Sequence, residues 1–387
     1  MAQAVKGLTL GDLNAQEGSH HELLRLRLAL GWTILFAALV GLFAVSWDIQ
    51  WHSAVGRDRT LTAPHLFILG SIVALGIPAL IAVLVETRWA KRSSAIAKSG
   101  TPFAGFFSSS MGAYLVGYGA LCSAIAFPVD QYWHTLYGID VSLWAPFHIM
   151  ALAGLSASCL GVVYIFISSA TLATHDGAKG SARAGYIGAI IACAVLLGVF
   201  SIILEPSLEK SLFLGNLTFS VHPLMLGAFG MFTLVIATRV LPWRLAATSV
   251  ALVYIFFGLV NYVLIPQLMT LLVGIEQQTY LPRAPHVAVL SVTWLYSLII
   301  AAVLLDVVTG IAQRRAWSLR RASRATIVIA LVGTVLAVLC SPLFLSIARL
   351  HTNFILFLAV SLLLGVLGGY VGTWLGTGIG ESIRREA

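Results

Sequence analysis

Long apolar runs separated by short polar segments repeat along the whole chain. They can be placed at about 31–47, 66–85, 111–127, 148–170, 184–204, 220–239, 246–264, 287–306, 326–346 and 355–376. Each is near the roughly 20 residues that an α-helix needs to cross the core of a bilayer. Backbone groups in lipid must find their hydrogen bonds within the segment, which continuous helices do and which short alternating segments do only in a closed barrel. The pattern therefore predicts an all-α fold, a polytopic membrane helix bundle of about ten transmembrane helices.

Composition agrees. Of 387 residues, 59% are hydrophobic and 10% charged, and the mean hydropathy is +0.94, which excludes a soluble domain. Residues 1–30 read as a polar N-terminal tail, with Glu22–Leu30 as an alternative amphipathic lead-in. They lack the short apolar core and small-residue site of a cleaved signal peptide. Residues 31–183 and 184–387 read as a first part of four helices and a second of about six. Cys122, Cys159, Cys193 and Cys340 all fall in apolar runs with no C-x-x-C pair, so they are expected to be buried small residues and not a disulfide or thiolate site.

Charge then orients the chain. With loops assigned alternately to two sides, the basic residues outside Arg57, Arg59, Lys210, Arg283 and Arg349 all fall on one side. The positive-inside rule makes that side cytoplasmic, with both termini there, in a bacterial inner or intracytoplasmic membrane. The Arg314–Arg324 cluster is then a topology anchor, and nucleic acid is not an expected partner. His52, His65, His134, His148, His222, His286 and His351 sort to the opposite, outer side together with Asp48, Asp58, Asp130, Asp140, Glu205, Glu209 and Glu276. Ionisable groups near a membrane are costly and usually functional.

Most of them belong to a pattern that occurs twice. Counted from Asp48 and from Asp130, both copies carry Trp at +3 (Trp51, Trp133) and His at +4 (His52, His134). Both also carry Gly at +8 (Gly56, Gly138), Asp at +10 (Asp58, Asp140), Ala at +15 and Pro at +16 (Pro64, Pro146). A second His follows at +17 or +18, His65 or His148. If the first helix of each copy continues past the Asp, then Asp and His at i and i+4 share a face. Glycine serves the loop, and proline suits the first turn of the returning helix, which brings the second His level with the pair. Each copy is thus a helix hairpin that closes one carboxylate and two imidazoles around a point. Such a set suits a divalent first-row metal, copper or zinc ahead of magnesium or calcium.

Around these ligands the sequence leaves roles open. Asp58 and Asp140 either accept hydrogen bonds from the histidines or cap the returning helices. Trp51 and Trp133 either wall the site or belong to an interfacial belt. Beyond residue 184 the pattern has no third copy. His286, in Ala284-Pro285-His286, and His222, at an outer helix entrance, are candidate auxiliary ligands or proton relays, and both are otherwise structural, as is His351. Asn261, Tyr262, Gln267, Gln277 and Gln278 read as a polar loop, either a lid over the hairpins or a solvated connector. The glycine-dense stretch 365–380 predicts close helix packing.

The two D-x3-H-x12/13-H sets resemble the C subunit of the copper membrane monooxygenases, the particulate methane and ammonia monooxygenases, over about residues 30–170. The resemblance implies two neighbouring metal sites at the outer face, Asp48, His52 and His65 in one and Asp130, His134 and His148 in the other. It implies a copper cofactor, partner subunits and a trimer. This chain departs from the family in Asp130, where Asn is usual, and in its extra spans. The expected function is a membrane-bound copper-dependent oxygenase, or its metal-binding subunit, oxidising a small apolar substrate with O2 and electrons from a quinol or other external donor. The alternatives are a membrane metal-binding or transport protein without oxygenase activity, and a haem-binding membrane protein.

Overall fold

A computed structural model describes residues 10–56, 61–137, 143–208, 210–215, 217–282 and 296–386, with side chains from His20 onward. It is an all-α bundle with two small β-hairpins. Helix α1 spans Leu10–Ala54, α2 Ala63–Ala90, α3 Ser94–Lys98, α4 Met111–Tyr137, α5 Pro146–His175 and α6 Lys179–Leu204. There follow α7 at His222–Val240, α8 at Ala246–Ile275, α9 at Leu298–Arg314, α10 at Leu319–Leu339, α11 at Pro342–Ala348 and α12 at Phe354–Glu386. Strands β1 (Thr101–Phe103) and β2 (Phe107–Ser109) pair antiparallel, as do β3 (Ser211–Leu214) and β4 (Leu217–Ser220).

Nine helices among the described residues are long and apolar enough to cross a membrane, which fits an integral membrane protein. The expected span at 287–306 lies partly outside the described residues; its second part is found in α9. Successive long helices run in opposite directions. The ends of α1, α4, α6 and α8 gather at one pole of the bundle, and the ends of α2, α5, α7, α9 and α12 at the other. Arg88, Arg239, Arg314, Arg384 and Arg385 lie in last turns at that second pole.

One apolar cluster runs through both halves, from Ile34, Leu42 and Val116 through Phe166 and Leu196 to Leu234, Ala247, Leu298 and Phe357. Glycine lets the helices close on one another where the sequence predicts it. A Cβ on Gly376 of α12 would stand 2.6 Å from the Phe232 carbonyl of α7, and Gly368 and Gly372 face α7 in the same way.

Several expectations need correction. The tail over residues 1–30 is helical from Leu10 on and merges into α1. From this stretch Leu23, Leu24 and Arg27 are buried. Arg27 is in place because it is fully paired: Nε and Nη2 donate to Glu86 Oε1 (2.9 Å) and Oε2 (2.8 Å), and Nη1 donates to Ser168 Oγ at 2.6 Å. The second carboxylate oxygen also accepts from Ser110 N at 2.9 Å. Asn261, Tyr262 and Gln267 lie within α8 and not in a loop. Asn261 is buried, and its Nδ2 donates to Ser46 Oγ of α1 at 2.6 Å. Cys159 and Cys193 are buried as expected, but Cys122 is half-buried and Cys340 exposed, because α10 ends at Leu339.

Candidate metal centre

Both hairpins form as their punctuation requires. Helix α1 continues six residues past Asp48 to Ala54, and α4 continues past Asp130 to Tyr137, so each Asp and the His at i+4 share a helical face. Gly56 makes the turn out of the first helix with φ +69°, a left-handed conformation that favours glycine. Pro64 and Pro146 occupy first-turn positions of α2 and α5, where their missing N–H costs no helical hydrogen bond. Thr62 caps α2 by accepting from His65 N at 3.4 Å. These devices place His65 and His148 at the mouths of the returning helices.

Within each copy the ligand atoms converge. His52 Nε2 stands 3.5 Å from Asp48 Oδ2, and His65 Nε2 3.2 Å from Asp48 Oδ1. In the second copy His134 Nε2 and His148 Nε2 stand 3.2 and 3.3 Å from Asp130 Oδ2. The imidazole pairs repeat almost the same pose, with centroids 6.0 Å apart and planes at 44° in the first and 5.9 Å and 53° in the second. In each triad one ligand atom per residue lies within 4.8 Å of the others.

The separations discriminate between two uses of these groups. A charge-assisted N–H···O bond is about 2.7–2.9 Å long. Nitrogen and oxygen ligands about 2.0–2.1 Å from a shared tetrahedral ion stand about 3.3–3.5 Å from one another. The observed 3.2–3.5 Å matches the edge of a coordination polyhedron better than a tight ion pair. Asp130 Oδ1 is in addition buried with no hydrogen-bond partner among the described residues. A buried carboxylate oxygen left in that state is costly unless a cation takes it up. The residues present therefore fit a metal ion, and each triad could hold one.

Both triads open into the same cavity, of about 160 Å³, between α1, α2, α4 and α5. Much of its wall comes from equivalent positions of the two copies: Gly41 and Ser123 seven residues before the Asp, Val45 and Phe127 three before it, Ile68 and Ala151 three after the second His, and Ile72 and Leu155 seven after it. Steps of three and seven stay on one helical face, so the face that carries the ligands also lines the chamber beneath them. Seven residues of helix are roughly 10 Å, the depth from Asp48 to Gly41. Apart from the ligands the lining is mostly aliphatic and aromatic, and Phe127 meets His65 edge to face at 5.7 Å.

Other expected site residues lie elsewhere. Asp58, Asp140 and His286 fall outside the described residues. Trp51 neither walls the site nor forms a belt: it is 1% exposed, packed with Trp47, Ile265, Met269 and Leu272 against α8. Trp133 is half-buried, off the cavity, between Tyr137 and Phe147. His222 is buried in the second half, its Nδ1 3.0 Å from Ser207 Oγ and its ring stacked on Phe344. His351 stacks on Phe357 with centroids 4.0 Å apart. The structure brings neither to the triads. Val45, Phe127 and the other chamber walls escaped the sequence reading, although their three- and seven-residue offsets from the ligands mark them.

Comparison of the chain with family models, with curated proteins and with solved structures finds no match.

Proposed function

We propose that the chain is a copper-dependent membrane oxygenase, or the metal-bearing subunit of one, that oxidises a small apolar molecule with O2. The observation that carries this reading is that two Asp/His triads share one chamber whose remaining walls are mostly apolar. Two imidazoles and a carboxylate favour copper or zinc among divalent ions. Bound copper would supply the one-electron couple that O2 chemistry requires. The chain's own part is to hold and shield. Asp48 and Asp130 provide the negative charge that retains a cation, and the four histidines provide neutral nitrogen donors. Val45, Ile68, Ile72, Phe127 and Leu155 receive an apolar substrate and keep water away. An apolar cavity of about 150 Å³ admits a molecule the size of benzene, so the substrate is small. Putting one atom of O2 into a C–H bond and releasing the other as water consumes two electrons and two protons, so an external donor such as a quinol is part of the proposal.

The basic pole faces the cytoplasm in this reading, and the triads open on the outer side. Partner subunits and self-association belong to the same reading, on the likeness of the two ligand sets to the copper membrane monooxygenases. A metal-transport role uses the same ligands but needs a polar path through the bundle. Asp306, the acidic residue that could mark such a path, is instead engaged in a helix cap: it accepts from Ala247 N at 3.0 Å and Thr248 N at 2.7 Å at the start of α8. A haem held between the paired histidines would need the space that each carboxylate occupies.

Metal analysis of protein purified in mild detergent tests the reading. Wild type is expected to carry copper in both triads, His52→Ala and His134→Ala each to lose one share, and the double variant to lose both. Metal-free protein, or a metal content that neither change alters, defeats the site. Zinc in place of copper keeps the site and defeats the oxygenase, and a haem absorption band moves the assignment to haem.

A further inference from the structure

A second cavity, of about 590 Å³, lies at the basic pole of the bundle among α5, α6, α7, α9, α10 and α12. It contains none of the triad residues and none of the chamber walls. We propose that it binds a phosphate-bearing anion through Arg239 and Arg384.

Arg239 sits in the last turn of α7, and its Nη2 is buried with no hydrogen-bond partner among the described residues. A guanidinium does not shed its charge, so a buried N–H of this kind is expensive unless an acceptor arrives. Its stem lies against α12 where Gly380 leaves room, since a Cβ there would come within 2.7 Å of Arg239 Cβ. One helical turn further along α12, Arg384 lines the same cavity. Glu381, next to Gly380 on α12, is largely exposed, faces Arg385 at 3.9 Å and is also near enough to act on the Arg239 charge, but it lies outside the cavity lining and leaves the buried Nη2 without an acceptor among the described residues. No Asp or Glu is among the described residues that line the cavity. Tyr186 and Gln313 add neutral donors to the walls.

Two guanidinium groups with neutral donors and no carboxylate in the described lining suit a tetrahedral oxyanion, which accepts paired N–H bonds from an arginine fork. Ile167 and Trp317 supply apolar wall beside them, as a lipid whose headgroup enters between helices would need. Basic pockets between transmembrane helices recognise anionic headgroups by this chemistry. The same donors would take free inorganic phosphate.

The two sources separate in one experiment. Full-length protein is placed in phosphatidylcholine nanodiscs, and binding of labelled phosphatidylglycerol is measured with and without excess inorganic phosphate. Direct binding of labelled inorganic phosphate is measured in parallel. Wild type is expected to show saturable binding. Arg239→Gln and Arg384→Gln are each expected to weaken it about tenfold, the scale of losing one charge-assisted contact. Arg239→Lys, which keeps the charge but not the fork, is expected to fall between. Phosphatidylglycerol binding that phosphate does not displace assigns the site to lipid, whereas phosphate binding that competes assigns it to the free anion. Arg384 is exposed, so its variant serves as the test if Arg239→Gln fails to fold. Absence of saturable binding of either probe, or equal binding by wild type and the folded glutamine variants, overturns the proposal. His52→Ala should leave this binding unchanged, which keeps it distinct from the metal reading.

Discussion

In the first hairpin Asp48 divides its carboxylate between the two histidines, Oδ1 toward His65 and Oδ2 toward His52, whereas in the second Asp130 turns Oδ2 to both His134 and His148. The helices behind these triads are also held together differently. At the far end of the first hairpin, α1 and α2 are joined by the bidentate Arg27–Glu86 pair. In the second, α4 and α5 touch through backbone, with Gly119 facing Gly154 and Gly112 facing Gly161. Ser123 and Ser158 also donate across that contact, to Ala151 O at 2.9 Å and Val116 O at 3.3 Å. Among the described residues, the second half of the chain then covers the first hairpin more closely. Trp51 is sealed against α8, Asn261 donates to Ser46, and Leu281 N donates to Ala54 O at 2.8 Å beside Gly56. The second hairpin is tied back at Trp144, whose Nε1 donates to Ile203 O at 2.8 Å. Tyr132, Leu136 and Tyr137 beside its ligands stay exposed. One ligand pattern, used twice, therefore sits in a clamped, covered setting and in a peripheral one.

The largest test of that contrast falls on the duplicated tryptophans. Trp51→Ala empties a fully packed position between α1 and α8 and is expected to cost about 3–5 kcal/mol. The equivalent change at half-buried Trp133 is expected to cost well under half of that. Thermal unfolding of both variants in the same detergent measures the difference. Equal losses would mean that the covering by α8 does not distinguish the two hairpins.

A smaller effect separates the carboxylates. An amide offers one oxygen. Asp130→Asn can present that oxygen where Oδ2 now serves both histidines, whereas Asp48→Asn must turn an NH2 toward one of its two. We expect Asp48→Asn to weaken metal binding at the first triad by roughly tenfold or more, about 1.4 kcal/mol, and Asp130→Asn to weaken the second by less. Competition titration against a copper chelator, with the other triad disabled, reads each value. The reverse order would show that the carboxylates are used the other way round once metal is bound.

How much of this was legible before the structure depends on the range of the interaction involved. Helix spans follow from runs of apolar residues, and the triads from spacings of four and of seventeen or eighteen residues closed by Gly56 and Pro64. Both signals are local in the chain, and the structure forms both. Arg27 reads as one more cation of the polar N-terminal tail, because the carboxylate that buries it, Glu86, is 59 residues away and belongs to no motif. Trp51 and Trp133 look alike in sequence and diverge only because α8 lies against one of them. Asn261 and Gln267 read as a loop because polarity alone does not end a helix when a buried partner such as Ser46 awaits it. The second cavity was hidden for the same reason: its arginines are counted in sequence as charges and acquire a shared target only when α7 and α12 pack.

The finest consequence concerns exchange. His148 keeps 29% of its side-chain surface exposed and its counterpart His65 13%, and Leu281 lies over Gly56 beside the first triad. A bound ion at Asp130, His134 and His148 should therefore be reached by water and chelator more readily than one at Asp48, His52 and His65. When copper-loaded protein is mixed with excess chelator, release is expected in two phases whose rates differ by a few-fold. His134→Ala should remove the faster phase and His52→Ala the slower. If each variant removes the opposite phase, cover and exposure do not set the order of release, and the peripheral character assigned to the second hairpin ends at its protein surface without reaching the metal.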